Sequence, residues 1–171
     1  EMLRSLVGSE MCIRDRSMRG GMTYVNMDYV GKELENGGVL DVNSLYPFIL
    51  SEYAIPSVYK GSTDDLEPNM NKYFICQIKR LKATLKSHRH PFLKRSTTYT
   101  NDKIYEKELD WVGKEKNGVH DTVLCSVDVN WLFENYDVEE IEYGKIFYFE
   151  EDKKFTESVR EHIVYWRNKK E

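Results

Sequence analysis

No apolar run in the 171-residue sequence approaches the ~20 residues that a membrane-spanning helix requires. The first thirty residues lack a continuous apolar core, so no secretory leader is expected. Cysteine is scarce. Cys12, Cys76 and Cys125 form no CxxC pair and no Cys/His cluster, which argues against a zinc site and a disulfide framework. These absences predict a reducing, cytoplasmic setting without a membrane partner. His88, His90, His120 and His162 show no ligand spacing and read as surface or loop residues. The sequence contains neither an internal repeat nor a low-complexity segment. With 40% apolar and 32% charged residues, the composition predicts a soluble globular protein of one ordinary domain.

Acid is also missing from one long stretch. The formal net charge is −4, yet residues 72–101 carry 8 Lys and Arg and no Asp or Glu. Residues 1–71 carry 6 bases against 11 acids, and residues 102–171 carry 11 against 18. A basic block in an acidic chain has two readings: a solvated strand pair, or a surface that contacts a phosphate backbone.

Residues 6–16, LVGSEMCIRDR, resemble the translation of a transposase sequencing adapter. Residues 1–16 are therefore expected to be non-native and are left out of the fold reading. They hold three bases and three acids, so the charge of the remainder is unchanged.

Beyond them, Gly20 and Gly21 permit a tight turn or a close backbone approach. The run Val39 to Val42 predicts a short buried strand. Residues 44–53 predict a helix with Ser44 as N-cap and Pro47 in the first turn. IPSVYKG predicts a strand closed by Gly61, and STDDLEPN a polar loop in which Asp64 and Asp65 are solvated. Residues 72–85 are β-rich. Asn117-Gly118 is a strong turn signal. Ser126 is expected to cap a helix with Val129, Leu132, Phe133 and Tyr136 on one face. A strand is predicted over residues 141–149. A final amphipathic helix is expected from Phe155, Val159, Ile163 and Trp166. Trp111, Trp131 and Trp166 are read as core residues.

The chemistry concentrates in GGVLDVNSLYPFIL. A carboxylate at the end of a strand, Asp41, can hold a hard cation such as magnesium. The helix that follows exposes unpaired amides from Leu45 onward, a ready anion site beside the cation. Tyr46, in the first turn, can place its ring beside a bound sugar. The plainer reading of the same residues is a helix cap or a turn. A second Asp-Val-Asn, at Asp128, falls in the first turn of an amphipathic helix. There an acid favours the helix dipole, so its role is read as structural.

The stretch DVNSLYP resembles the first palm motif of family B DNA polymerases, Asp-x-x-Ser-Leu-Tyr-Pro, at every defining position: Asp41, Ser44, Leu45, Tyr46 and Pro47. MRGGMTYV resembles the Tyr-x-Gly-Gly element that links exonuclease and polymerase domains, with Met18 where the family has Tyr. That departure leaves any role of the tyrosine ring unfilled. HPFLKRSTTYTNDKIYEKEL and VLCSVDVNWLFENYDVEEIEYGKIFYF resemble the terminal-protein-region insertion of the protein-primed phage branch.

The resemblance implies a role for each matching residue. Asp41 would bind both catalytic metals (two Mg2+, with Mn2+ possible), and the Val42 carbonyl the nucleotide-bound one. Ser44 and Leu45 would meet the triphosphate, and Tyr46 would exclude a ribose 2′-hydroxyl. Arg19, Gly20 and Gly21 of the linking element, and Lys94, Arg95 and Tyr105 of the insertion, would contact DNA. The implied partners are template-primer DNA, dNTPs and a terminal-protein primer. The implied reaction is attack of a primer hydroxyl on an α-phosphate.

The expected fold is α+β: part of a polymerase palm, an antiparallel sheet plus helices, with an inserted small α+β subdomain. The expected segments are a linking element at 17–37, palm at 38–70, the basic insertion at 71–150, and at 151–171 a helix leading toward the fingers. No Asp-Thr-Asp and no Asn-Ser-x-Tyr-Gly occurs in the sequence, so this piece is expected to be inactive alone within a DNA polymerase. The alternative is a non-catalytic DNA-binding module that keeps a decayed palm motif.

Overall fold

The computed structural model describes residues 17, 29–33, 35, 37–39, 41, 45–64, 66–89, 91–93, 107–113, 115, 116, 119, 120 and 122–169. In chain order its elements are α1 (Leu45–Glu52), β1 (Val58–Thr63), β2 (Tyr73–Leu85), β3 (Glu108–Val112), β4 (Glu115–Lys116), β5 (Val119–His120), β6 (Val123–Cys125), α2 (Ser126–Asn135), β7 (Tyr136–Glu150) and α3 (Lys153–Asn168). This is an α+β fold, an antiparallel sheet with three helices among the described residues. The chain divides into two compact units. One is centred on Tyr59–Phe149, and the other comprises the described residues of Thr23–Val58 and Glu150–Glu171.

The first unit is built around β2. Its aromatic and β-branched residues favour a pleated, half-buried strand. Along one edge it pairs antiparallel with β7, from Tyr73↔Phe149 to Leu85↔Tyr136. Along the other it pairs with β6 at its start (Ile75↔Cys125) and with β3 at its end (Leu81↔Trp111). β1 lies on the far side of β7. Phe74, Cys76 and Ile78 are buried at alternate positions, and then Leu81 and Ala83. The alternation changes phase where the register against β7 shifts between Ile78 and Arg80, because an inserted residue turns every later side chain to the other face. Helix α2 lays Val129 and Leu132 on this core, beside Trp111, Leu124, Tyr136 and Ile146. Gly61 lies inside β1 rather than closing it, at φ 118°, a conformation that side chains with a Cβ rarely adopt.

Three cations of the basic block, all on β2, are paired with acids. Arg80 meets both Asp110 of β3 and Glu140 of β7, the latter at 3.2 Å. Lys82 meets Glu139, and Lys79 lies 3.5 Å from Glu142. Lys86 Nζ donates to the Phe133 carbonyl at 2.8 Å, where α2 ends in unpaired carbonyls. Antiparallel pairing thus brings acids from the later, acid-rich segment onto the cations of β2. Exposed pairs of this kind add little stability, but they cancel a free positive field. Over its described part the block holds a single strand, β2, whose partners β3, β6 and β7 all lie outside it.

Some sequence expectations are corrected. Neither Val39 nor Asp41 lies in a strand, and Val39 is 97% exposed. A strand must hand its amides and carbonyls to a neighbour, and the paired strands of the sheet all centre on the other unit. The N-cap of α2 is Cys125, not Ser126. The Cys125 amide donates to Asp128 Oδ2 at 3.1 Å, and the Asp128 amide turns back to the sulfur, a reciprocal cap. Phe133 and Trp131 are exposed because α2 buries only the Val129 and Leu132 stripe. Trp131 keeps a tilted edge contact with Phe92, with centroids 5.7 Å apart. Phe155 and Trp166 are likewise exposed. The residue α3 buries is Thr156. Trp111 is buried as expected. Asn117 and Gly118 lie outside the described residues, and the pairing Lys116↔Val119 joins the strands on either side of them.

Because Asp128 serves the cap, Asp128→Ala is expected to lower stability by about 1 kcal/mol in urea denaturation. An unchanged unfolding midpoint would remove Asp128 from the cap of α2.

Candidate active site

Helix α1 begins just after Asp41. Its sequence, LYPFILSE, starts with two residues whose amides lack intrahelical partners, followed by Pro47, which has no amide to leave unpaired. Asp41 is exposed, and no hydrogen bond or ion pair holds it among the described residues. Leu45 is half-exposed and Tyr46 is 74% exposed. A carboxylate open to water therefore stands ahead of a helix whose first turn offers free N–H groups and an uncovered phenol ring.

The other end of α1 is fixed. Arg160 of α3 donates to the Ser51 carbonyl, satisfying one of the last acceptors of α1 with a cation where the helix dipole is negative. The Ile55 amide donates to Thr156 Oγ1 at 3.3 Å, and Ser51 Oγ donates back to the Phe48 carbonyl at 2.8 Å. Asp152 caps α3 by accepting the Phe155 amide at 3.2 Å. Thr156 and Arg160 thus brace the helix that carries the motif. The sequence reading missed both. The one available signal was a threonine at a position where the helical period calls for an apolar residue.

Val42, Ser44, Arg19, Gly20, Gly21, Lys94, Arg95 and Tyr105 lie outside the described residues. No group of three or more His, Cys, Asp or Glu side chains that could hold a metal is found among the described residues. Asp41 supplies one hard, hydrated oxygen donor set, which suits a magnesium-type ion. A pair of ions needs a further carboxylate, and the described residues place none beside it.

The sheet unit holds a separate shallow cleft of about 290 Å³ between α2, β7 and the 67–70 loop, lined by Phe133, Val138, Ile141 and Tyr143 among others. Burial raises the Tyr143 phenol well above its ordinary range, and Glu67 adds to the effect. Burial does the same to the Cys76 thiol, with Cys125 and Asp128 adding to it. Neither group is a candidate acid or nucleophile. No helix among the described residues is long and apolar enough to cross a membrane.

A family described as DNA polymerase type B, organellar and viral, matches residues 10–171. The chain belongs to this family. Among curated relatives, the DNA polymerase of Bacillus phage B103 is 27% identical over 165 residues, which is 88% of this chain and 25% of that protein. The DNA polymerase of Bacillus phage phi29 is 29% identical over 131 residues, 73% of this chain and 21% of that protein. This type B polymerase chain therefore spans about a quarter of the length of the curated relatives it matches. Its fold matches phi29 DNA polymerase solved in a ternary complex with primer-template DNA and incoming nucleotides. The TM-score is 0.68 at 27% identity, covering 94% of this chain and 27% of the other. A second match is to phi29 DNA polymerase complexed with single-stranded DNA, with TM-score 0.60 and 25% identity.

Proposed function

We propose that this chain is the part of a DNA-directed DNA polymerase that carries the first palm motif and the inserted subdomain, and that the complete protein extends a terminal-protein or DNA primer with dNTPs. The observation that carries this reading is the motif itself. In a type B polymerase chain, an exposed Asp41 with no partner among the described residues precedes α1, and α1 opens with Leu45 and an uncovered Tyr46. The phi29 ternary complex holds primer-template DNA and incoming nucleotides, which supports the same partners here.

In this reading Asp41 and the Val42 carbonyl would hold Mg2+, two ions in the complete enzyme, with Mn2+ as a substitute. Bound there, divalent ions supply positive charge to the attacking and leaving oxygens of the displacement. The chain's own residues do the rest. The amides at the start of α1, with Ser44 and Leu45, receive the triphosphate anion on a helix N-terminus. Tyr46 stands where a sugar 2′-hydroxyl would collide with its ring. A primer hydroxyl attacks the α-phosphate, the new P–O bond forms, and pyrophosphate leaves with the electron pair of the broken bond. Arg19, Gly20, Gly21, Lys94, Arg95 and Tyr105 take the DNA backbone. Residues 71–150 are read as the inserted subdomain; all but the last fall in the unit centred on Tyr59–Phe149, which also takes in residues 59–70. The host cytoplasm is the proposed location. With one carboxylate of the pair, the 171-residue piece is inactive by itself.

The sugar gate tests this reading. Tyr46→Val in the complete enzyme is expected to raise ribonucleotide use relative to dNTP use by about two orders of magnitude, since it removes a purely steric exclusion. Competitive incorporation assays read that ratio directly. An unchanged ratio would remove Tyr46 from the sugar site.

A further inference from the structure

The C-terminal part of α3 gathers rings and cations on its exposed side. Tyr165 and Trp166 are each 52% exposed, with centroids 5.4 Å apart and planes at 82°. The His162 ring adds a third member, 6.2 Å from Trp166 at 70°. Lys169 Nζ lies 4.8 Å from the Tyr165 centroid and 5.5 Å from that of Trp166. Residues 162–170 contain Arg167, Lys169 and Lys170 and no acid. Neither Arg167 nor Lys169 meets a described carboxylate, whereas Lys79, Arg80 and Lys82 in the sheet are all paired.

The helix does not use these rings for its own packing. It docks through Thr156 and Arg160, with Val159, Ile163 and Val164 half-buried. Leaving an indole and a phenol in water forgoes apolar burial that a partner could recover. That partner must offer flat apolar faces together with negative charge. Duplex DNA offers the charge but keeps its bases stacked inside. An unpaired strand offers both, because bases stack on aromatic rings while phosphates take Lys and Arg.

We propose that Tyr165 and Trp166, with Arg167 and Lys169, form a stacking platform for an unpaired stretch of nucleic acid. The platform rests on the polymerase reading, which supplies a reason for a single strand to be present. Its test does not use polymerisation, so the two can fail separately. The cation–π contact of Lys169 holds the two ring faces in place, and a base that slides onto the indole displaces the ammonium toward the adjoining phosphate.

The test is fluorescence anisotropy of a labelled oligothymidylate titrated with the complete 171-residue chain. Trp166→Ala is expected to weaken binding about ten-fold. Trp166→Phe should keep most of the affinity, which guards against a variant that merely misfolds. Lys169→Ala should lower the slope of log affinity against log salt by about 0.7, one phosphate on a single strand. Trp131→Ala, which alters an exposed indole of the other unit, should change nothing, and a duplex of matched length should be insensitive to Trp166→Ala. Equal oligothymidylate affinity for wild type and Trp166→Ala overturns the platform. An equal loss toward heparin overturns it as well, because heparin has no bases to stack. Binding of polyglutamate but not oligothymidylate through Trp166 would also overturn it, assigning the surface to an acidic protein.

Discussion

Asp41→Asn is expected to lower primer extension by the complete enzyme by at least about a thousand-fold, while leaving its unfolding curve where it was. The first half follows from charge. Asparagine keeps the shape of aspartate and loses the negative charge that makes the side chain a ligand for a hard cation. Removing one preorganised electrostatic contact to a developing transition-state charge costs roughly 10²–10³-fold, and in the proposed role Asp41 would position ions that act on both oxygens at once. The second half follows from the structure. Asp41 is exposed and makes no hydrogen bond or ion pair among the described residues, so folding does not depend on it. The usual ambiguity of an inactive variant, lost chemistry against lost fold, is therefore small at this position. Single-turnover extension on a DNA primer, alongside urea denaturation, reads both quantities. Extension within ten-fold of wild type would end the metal role of Asp41. A matching loss of stability would show that the carboxylate has a structural partner.

Local pattern made part of this molecule legible. Residues 72–85 announced β2 through aromatic and β-branched content, and the 3.6-residue period over Phe155, Val159 and Ile163 announced α3. The helix expected over 44–53 is found at 45–52, with Pro47 in its first turn. What the sequence concealed depends on pairing between distant segments. Lys82 meets an acid 57 residues away and Arg80 one 60 residues away, so cations that look unopposed in one dimension have acidic partners in three. The strand expected at Val39 failed for the same reason in reverse: an apolar run is a strand only when a neighbour takes its backbone. The Val129 and Leu132 stripe of α2 is buried as expected, but Phe133 on the same face is exposed, and Trp131 and Trp166, read as core, are half-exposed. Of the candidate site, Asp41, Leu45 and Tyr46 fall on described residues, and the motif helix sits where its capping signals put it. The Thr156 and Arg160 brace was not legible, because nothing local ties residue 51 to residue 160.

The two described tryptophans of the sheet unit give the second large effect. Trp111→Ala is expected to cost about 3–5 kcal/mol, against about 1 kcal/mol or less for Trp131→Ala. Trp111 is 2% exposed, sits opposite Leu81 in the β2–β3 register, and belongs to the same core as Leu124, Leu132 and Ile146. Truncating it removes the largest of the fully buried described side chains and leaves a void under β3 that the β2–β3 ladder holds open. Trp131 is 50% exposed, and truncation removes mainly its edge contact with Phe92. Domain stabilities are commonly 5–15 kcal/mol, so the first substitution takes a third or more of the total and the second falls near the scatter of surface changes. Urea titration followed by far-UV circular dichroism compares the two without relying on the indoles that are removed. Comparable costs would mean that the core is not centred on the β2–β3 pair, and the packing that sets β2 between β7 and β3 would have to be redrawn.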